Sequence, residues 1–413
     1  MHLTAEEQAV LDGAHGPALQ LALEMQRKVG EFFGANRFVE INSAHLMAEI
    51  ECMGEPALGW VERLADSGQR CAVQTSCNPR SVDFEQWRDL GQDEQEYQLE
   101  VRLSGALERL GVVVLDTCIN YQTLSQPAFG EAVAWGDTGT VIWANSVLGA
   151  RTNFEGGPVA LAAGLTGRTA AYGYHLAEQR LGTTLVEVRD QPRENSDWGA
   201  LGCLVGRRVN DYWQVPVLDR IAARPTPDQL KQLGASLASY GSLAMFHLVG
   251  VTPEARTVDE AFGRAQPSQR LVIERGDLRR VYESFRPEKS AADLVVFSAP
   301  QLSVWELRDL AARLDGKRVH PTTTLLATTN YQNRAAAERL GYAETIRAAG
   351  GRLLAGTCFY LLTPRELAER HGWRTIVTDS AKLANIIAGY GYNPVFRPTD
   401  VCVEVAVRGE IPW

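Results

Sequence analysis

The stretch LVVFSAPQ, residues 294–301, decides the fold class. Its four leading apolar residues are typical of a short, fully buried strand, and the polar, proline-containing residues after them end that strand. The same pattern recurs downstream at residues 325–330, 352–360 and 375–382. Buried strands separated by segments of helical composition indicate a largely parallel sheet, so the sequence predicts an α/β fold.

The first half of the chain repeats this alternation. A long helical pattern covers residues 93–110. Apolar segments that we interpret as strands, each followed by polar residues, lie at 38–41, 70–74, 111–116 and 140–144. Ligands of open α/β sheets bind beyond the carboxyl ends of the strands, so we expect the chemistry in the polar segments.

The chain of 413 residues is too long for one hydrophobic core, because single cores rarely exceed roughly 250–300 residues. Charged, proline-containing stretches at 190–197 and 222–228 are candidate linkers. We predict a first α/β region at residues 1–190, an intermediate region at 191–285 and a C-terminal α/β region at 286–413.

Composition excludes several classes of function. The net charge is −9 and Lys and Arg form no cluster, so we expect no nucleic-acid binding. No apolar run approaches the ~20 residues that span a bilayer, and the N-terminus has no signal-peptide pattern, so we expect a cytoplasmic protein without membrane contact. The seven cysteines are odd in number and include no C-x-x-C pair, which disfavours a disulfide framework.

The segment ANSVLGARTN, residues 144–153, concentrates polar side chains beside a glycine turn. Arginine offers a planar fork for a carboxylate, and the hydroxyl and amide groups offer oriented donors. The residue types therefore suit carboxylate binding, but they equally suit a polar loop that joins domains. Both interpretations stay open from the residues alone.

This segment resembles the signature of the aconitase X family. Further similar segments occur in the same order over about 350 residues: NSAH (42–45), TSCN (75–78), FHLVGVTPE (246–254), GTC (356–358) and TDSAK (378–382). The resemblance implies an aconitase-like multi-domain architecture with mainly parallel sheets, in which this chain is the large part. It also implies a small swivelling domain, absent here, so we expect a separate small subunit as partner.

The resemblance further implies iron, because Cys118 and Cys358 match positions that family members use to hold it. Thiolates hold iron well, and aconitase-type clusters bind through three cysteines and leave one coordination position open. The third family position departs from the pattern, since Ala299 stands where a cysteine is usual and Gln301 replaces a histidine. Three options stay open: Cys77 as a relocated third ligand, a mononuclear metal held with His45 or a water, and no metal at all.

Members of the family dehydrate cis-3-hydroxy-L-proline or mevalonate 5-phosphate, so the resemblance implies a hydro-lyase that acts on a small hydroxy acid. On this basis we predict His45, Ser146 and Lys382 as catalytic residues. The predicted substrate-binding residues are Ser43, Thr75, Asn78, Asn145, Arg151, Thr152, Asn153 and Ser380.

Two alternatives to a dehydratase stay open, of which the first would account for the missing cysteine and histidine. One is a divergent, cluster-free member that isomerises, cyclises or eliminates in specialised metabolism. The other is a non-catalytic scaffold subunit. His45 and Lys382 also have plainer interpretations, as a structural hydrogen-bonding histidine and as a surface salt bridge.

Overall fold

The computed structural model describes residues 1–412. Strands and helices alternate along most of this length, and the strands form four sheets. The helices are α1 Ala5–Leu11, α2 Pro17–Phe32, α3 Ile50–Asp66, α4 Trp87–Leu90, α5 Glu94–Arg109, α6 Asn120–Thr123, α7 Thr138–Trp143, α8 Gly157–Thr166, α9 Asn195–Val209, α10 Pro227–Gly241, α11 Val258–Ala261, α12 Asp277–Ser284, α13 Val304–Leu314, α14 Tyr331–Arg339, α15 Tyr342–Ala348, α16 Pro364–His371, α17 Ala381–Ile387 and α18 Thr399–Arg408. The strands are β1 Phe38–Glu40, β2 Ser43–Leu46, β3 Gln74–Cys77, β4 Ala134–Trp135, β5 Arg168–Ala170, β6 Thr184–Val188, β7 Pro216–Asp219, β8 His247–Leu248, β9 Gln269–Ile273, β10 Leu294–Phe297, β11 Thr324–Thr329, β12 Arg352–Ala355, β13 Thr375–Thr378 and β14 Asn393–Phe396.

The C-terminal sheet confirms the buried strand predicted from residues 294–297 and the parallel arrangement predicted for its neighbours. Its five strands run in the order β12-β11-β10-β13-β14, and every pair is parallel. All four residues of β10 are buried, as a strand covered by helices on both faces requires. Helices α13, α15 and α18 cover one face with Leu307, Ile346 and Val403.

Two smaller parallel sheets lie earlier in the chain. Strands β3-β2-β4 form the first, which packs against α8. Strands β8-β7-β6-β9 form the second, beside the closely packed pair α9 and α10. The pair packs closely because Gly202 of α9 faces the backbone of α10: a Cβ there would lie 2.6 Å from the carbonyl oxygen of Leu233. The fold is thus mixed α/β with mostly parallel sheets, as predicted.

Two predicted strands are wrong. Residues 140–144 fall in helix α7 and the π-helical turn after it, because Asp137 caps α7 and the apolar run is buried on all sides. A short buried run has no periodicity that separates a strand from a helix. Residues 111–116 form no ladder: among them only Val113 makes an isolated bridge, to Ser76.

A third strand is displaced. The segment predicted at 70–74 becomes a strand only from Gln74 onward, so Thr75, Ser76 and Cys77 lie within β3 rather than after it. Ser43 and His45 likewise lie within β2. The predicted strand at 38–41 and the helix at 93–110 are confirmed as β1 and α5.

One hydrophobic core connects the sheets. It runs from Ile119 and Trp135 through the α9–α10 pair to Ala381 and Phe396, so residues from the middle and the C-terminal part of the chain share it. No helix within residues 1–412 combines the length and apolar composition that a bilayer crossing needs.

Candidate active site

The C-terminal sheet reverses its strand order between β10 and β13. The strand that follows β10 in the chain, β11, lies on its outer side, and β14 lies on the outer side of β13. Segments beyond such a reversal form the usual ligand-binding crevice of an open α/β sheet. The two segments meet here, since Ser380 Oγ donates to the carbonyl oxygen of Ala299 at 2.5 Å.

Lys382 lies in the first turn of α17, directly after this meeting point. Ser380 caps the helix by accepting a hydrogen bond from the Leu383 amide. Lys382 is buried, with 2% of its surface exposed, so the surface salt bridge considered above is wrong. Its Nζ donates to Thr138 Oγ1 at 3.0 Å and lies 3.7 Å from Asp137 Oδ1. A buried ammonium group with so few partners is available to an anionic ligand.

Asp137 faces Lys382 from the turn between β4 and α7. It is the N-cap of α7, where its Oδ1 accepts a hydrogen bond from the Gly139 amide at 3.1 Å. Its Oδ2 is buried and has no hydrogen-bond partner within residues 1–412. Burial is the main cause that raises the pKa of Tyr360 and lowers that of His45; the charge of Asp137 adds to the first shift and opposes the second, so both groups lie near it.

His45 projects from β2. Its Nδ1 is 2.9 Å from Ser76 Oγ, and its Nε2 is buried without a hydrogen-bond partner in the described part of the chain. Burial lowers the pKa of His45 to about 4, although the nearby charge of Asp137 acts in the opposite direction. The imidazole is therefore neutral at pH 7 and can accept a proton.

Glu49 immediately precedes α3 and is fully buried. Its Oε2 accepts a hydrogen bond from Asn78 Nδ2 at 2.7 Å, and Asn78 Oδ1 accepts one from the Ala48 amide at 2.7 Å. Burial raises the pKa of Glu49 to about 8. We refer to His45, Glu49, Asp137, Tyr360 and Lys382 as the polar cluster.

Sequence reasoning missed three members of this cluster. Asp137 carried a usable signal, because an Asp followed by Thr and Gly before an apolar run is typical of a helix N-cap. Glu49 and Tyr360 carried none: a glutamate before a helix and an aromatic residue after a strand are common on any chain.

Cys118 and Cys358 are both buried and lie close together. The pKa of the Cys358 thiol is lowered from its usual value. Burial alone would raise it, but a hydrogen bond from Cys118 and the charge of Lys382 together outweigh the effect of burial. Ser298 Oγ lies 3.6 Å from Cys358 Sγ. The two predicted cysteine ligands thus come from distant parts of the chain to one place.

Cys77 does not join them. Its Sγ donates to Asp116 Oδ1 at 3.6 Å, and its side chain packs in the core of the first sheet with Leu46 and Leu99. Within residues 1–412, no group of three His, Cys, Asp or Glu side chains is arranged to hold a metal. With Ala299 at the third position, these donors do not fit a cluster held by three cysteines.

The ANSVLGARTN segment is occupied by internal hydrogen bonds. Asn145 Nδ2 donates to the carbonyl oxygens of Thr152 and Ala244, both at 2.9 Å. Asn145 Oδ1 accepts from the Thr152 amide and from Arg180 Nη1, each at 3.1 Å. Arg151 Nη1 donates to the carbonyl oxygen of His175 at 2.8 Å. The segment joins the first of the two smaller parallel sheets, β3-β2-β4, to the second, β8-β7-β6-β9.

The remaining predicted binding residues have similar partners. Ser146 Oγ accepts from the Phe246 amide at 2.9 Å. Ser43 Oγ and Thr152 Oγ1 both accept from Trp135, at 3.1 Å each. The other bonds are those of Thr75 Oγ1 to the Val73 carbonyl oxygen at 3.0 Å, and of Asn153 Nδ2 to the Tyr172 carbonyl oxygen at 3.0 Å.

Family models match almost the whole chain. The first, second and third domains of aconitase X match residues 1–178, 182–283 and 292–408. The chain belongs to the aconitase X family. It is similar to the crystal structure of Thermococcus kodakaraensis aconitase X in its holo-form, with a TM-score of 0.88 and 30% identity over 98% of this chain and 100% of that one.

Aconitase X relatives with named activities are dehydratases. The phosphomevalonate dehydratase large subunit of Methanothermobacter thermautotrophicus is 34% identical over 392 residues, which cover 94% of each chain. The cis-3-hydroxy-L-proline dehydratase of Pseudomonas aeruginosa is 36% identical over 414 residues, which cover 99% of this chain and 70% of that enzyme. These relatives place the aconitase X chain described here among the hydro-lyases.

Proposed function

We propose that this chain dehydrates cis-3-hydroxy-L-proline or a close amino-acid relative. The observation that carries the proposal is the pairing of Lys382 with Asp137 inside the polar cluster. A proline substrate is a zwitterion. Its carboxylate suits Lys382, and its ring ammonium group suits the free Oδ2 of Asp137.

Charge disfavours mevalonate 5-phosphate as substrate. A phosphate carries up to two negative charges and binds best to several cations or to a run of backbone amides. Lys382 is the single cation of the polar cluster. Two other buried arginines are already paired, Arg180 with Glu254 and Arg80 with Asp116.

His45 is the proposed proton acceptor. Dehydration of a 3-hydroxy acid begins at the carbon next to the carboxylate, whose proton must leave with a base. Neutral His45 has a free Nε2 and is held by Ser76 through Nδ1, so its ring orientation is fixed. Lys382 assists by stabilising the negative charge that develops on the carboxylate.

Aconitase-type enzymes typically use iron or an iron–sulfur centre. The donor set here does not fit the three-cysteine form, so no step of the proposal passes through a cluster. Cys118 and Cys358 instead line the site as a pair of thiols beside Lys382.

A separate small subunit completes the proposed enzyme. The support is indirect: the archaeal relatives are named large subunits and match this chain over nearly their full length. The Pseudomonas aeruginosa dehydratase is longer than the region this chain covers.

The test is a substrate panel. The chain, assembled with its small subunit, is incubated separately with cis-3-hydroxy-L-proline, the trans isomer and mevalonate 5-phosphate. NMR follows the disappearance of the signal of the carbon that bears the hydroxyl group. We expect turnover of the cis amino acid alone. Turnover of the phosphate ester alone would replace the proposal by a phosphomevalonate dehydratase, and no turnover of any compound would favour the scaffold interpretation.

Lys382→Met provides the matched variant. Loss of the ammonium group should lower kcat/KM for cis-3-hydroxy-L-proline about 10- to 150-fold, since a hydrogen bond to a charged group is worth roughly 1.5–3 kcal/mol. Lys317→Met, on an exposed lysine after α13, should leave kcat/KM unchanged. Equal activity of both variants would remove Lys382 from the site.

A further inference from the structure

Glu49 has a carboxyl oxygen that the fold leaves free. Asn78 holds Oε2 from β3, and the Ala48 amide holds Asn78 in turn. The other oxygen, Oε1, is buried and has no hydrogen-bond partner within residues 1–412. A buried polar atom without a partner costs stability, so such atoms concentrate where a ligand supplies the missing bond.

Other buried carboxyl groups show why this one differs. Glu100 accepts hydrogen bonds from Ser81 Oγ at 2.5 Å and from the Ile50 amide at 3.0 Å. Glu155 accepts one from Thr169 Oγ1 at 2.8 Å. Of the three, Glu49 is the one with an unpartnered buried oxygen in the described chain.

Glu49 also belongs to the polar cluster by its electrostatic neighbours. Burial is the main cause that raises the pKa of both Glu49 and Tyr360, with a smaller contribution from the charge of Asp137 to each and from Glu49 to Tyr360. Lys382 Nζ lies 5.5 Å from the centre of the Tyr360 ring. Glu49 therefore lies near the two groups proposed to hold the substrate.

We infer that Glu49 is the proton donor to the departing hydroxyl group, an inference that rests on the proposed dehydration. The proton leaves the carbon next to the carboxylate with His45, and that C–H electron pair forms the carbon–carbon double bond. The C–O bond breaks, and its oxygen takes the Glu49 proton and departs as water. Glu49 is left as a carboxylate, which the proton collected by His45 restores through solvent.

The chemistry requires such a group. A hydroxide ion is a poor leaving group, so an elimination needs either a Lewis acid or a proton donor at the oxygen. This chain has Ala299 where the family usually has the third cysteine that holds the cluster. A neutral carboxylic acid, kept protonated by burial, supplies the proton at neutral pH.

The groups around Glu49 are consistent with a protonated carboxyl. Burial is the main cause that favours the protonated form, and the negative charges of Glu100 and Asp137 add to it, while the thiol of Cys52 and the amide of Asn78 act in the opposite direction. Tyr360 and Tyr390 complete the titratable neighbours from the C-terminal part of the chain. Because the pKa of Glu49 is about 8, the donor is lost as the pH rises above that value.

The experiment compares two leaving groups. Fluoride departs without a proton, so cis-3-fluoro-L-proline needs no acid where cis-3-hydroxy-L-proline does. In the full chain with its small subunit, Glu49→Gln should lower kcat for the hydroxy substrate by about 10²–10⁴-fold. Fluoride release from the fluoro substrate should fall less than about tenfold, since Gln keeps the shape and the Asn78 contact.

Glu155→Gln is the control, because it also removes a buried carboxyl, from a site bonded to Thr169. It should leave both rates unchanged. Equal loss on both substrates in Glu49→Gln would assign Glu49 to binding or structure and overturn the inference, as would no loss at all. Glu49→Asp, which keeps the acid, should retain part of the hydroxy activity if Glu49→Gln fails to fold.

The outcomes separate the two proposals. Wild-type turnover of the hydroxy substrate decides the proposed function before any variant is measured. If that turnover is absent, the proposed function fails and the Glu49 inference fails with it. If it is present, the loss of rate in Glu49→Gln with the hydroxy substrate, compared with the loss with the fluoro substrate, decides whether Glu49 is the proton donor.

Discussion

Gln301 and Cys118 hold each other through two reciprocal hydrogen bonds. The backbone N–H of Gln301 donates to Cys118 Sγ, and the backbone N–H of Cys118 donates to the side-chain oxygen Oε1 of Gln301, both at 3.3 Å. Gln301 Nε2 also donates to the carbonyl oxygens of Asp116, Thr329 and Thr357, at 3.0–3.1 Å. One side chain thus joins both cysteine-bearing loops to the carboxyl end of β11.

Gln301→Leu should lower the free energy of unfolding by about 3 kcal/mol, because several buried amide and carbonyl groups lose their partner together. Urea denaturation measures the change. Gln95→Leu, on an exposed helix position, should stay within ~0.5 kcal/mol of the native chain. Similar stabilities for the two variants would show that the cysteine loops hold their positions without Gln301.

Ala299→Cys should create the third thiol of an iron–sulfur site. After anaerobic reconstitution with iron and sulfide, we expect stoichiometric acid-labile sulfide and visible absorption in this variant and in neither the native chain nor Ala299→Ser. The reason is the donor set: Cys118 and Cys358 alone give two of three thiolates. Stoichiometric sulfide in the native chain would show that another group serves as the third ligand.

Asn145→Ala should act on stability and leave catalysis intact. The side chain makes four hydrogen bonds, to Thr152, Ala244 and Arg180, and none of its donors or acceptors remains for a substrate. We expect a loss of about 3 kcal/mol in unfolding free energy and a KM within threefold of native. Asn36→Ala, at an exposed position, is the control, and a large rise in KM at native stability would restore Asn145 to the substrate site.

Stability should fall as pH rises from 4.5 to 7, in part through Glu155. Burial raises the pKa of this carboxyl to about 7, so the folded chain binds its proton more tightly than the unfolded chain does. The stabilisation is complete below pH 4.5 and is lost as the pH passes 7. Glu155→Gln cannot lose a proton, so it should gain stability on the order of 3 kcal/mol relative to the native chain between pH 4.5 and 8.

Urea midpoints at pH 5 and pH 8 measure this difference. The exposed Glu94→Gln should follow the native curve at both values. Parallel curves for Glu155→Gln and the native chain would mean that Glu155 titrates alike in the folded and unfolded states.

The C-terminal sheet was predictable from sequence because its strands are uninterrupted apolar runs that end in polar residues. LVVF at 294–297 is buried on every residue, so pattern and structure coincide. The run at 140–144 is equally apolar, yet it is helical, because capping by Asp137 and burial on all sides override the strand preference of its valine and isoleucine.

The candidate site was predictable only in part. Lys382, His45 and Cys358 follow or lie on strands, which is where pattern reasoning looks, whereas Cys118 follows a segment predicted as a strand that the structure does not form. Glu49 depends on Asn78, 29 residues away, and that contact has no local signal. Conversely, the polar residues of 144–153 attracted attention by composition, while their hydrogen-bonding capacity is used inside the fold.

Asp137 begins helix α7 and, by our proposal, also recognises the ammonium group of the substrate. Any replacement at position 137 must therefore both cap helix α7 and bind the ammonium group of the substrate. A lineage that adopts a substrate without an amino group therefore gains little freedom at position 137, since the cap must survive. Asp137 would then be retained as the cap of helix α7 after its role in substrate recognition has ended.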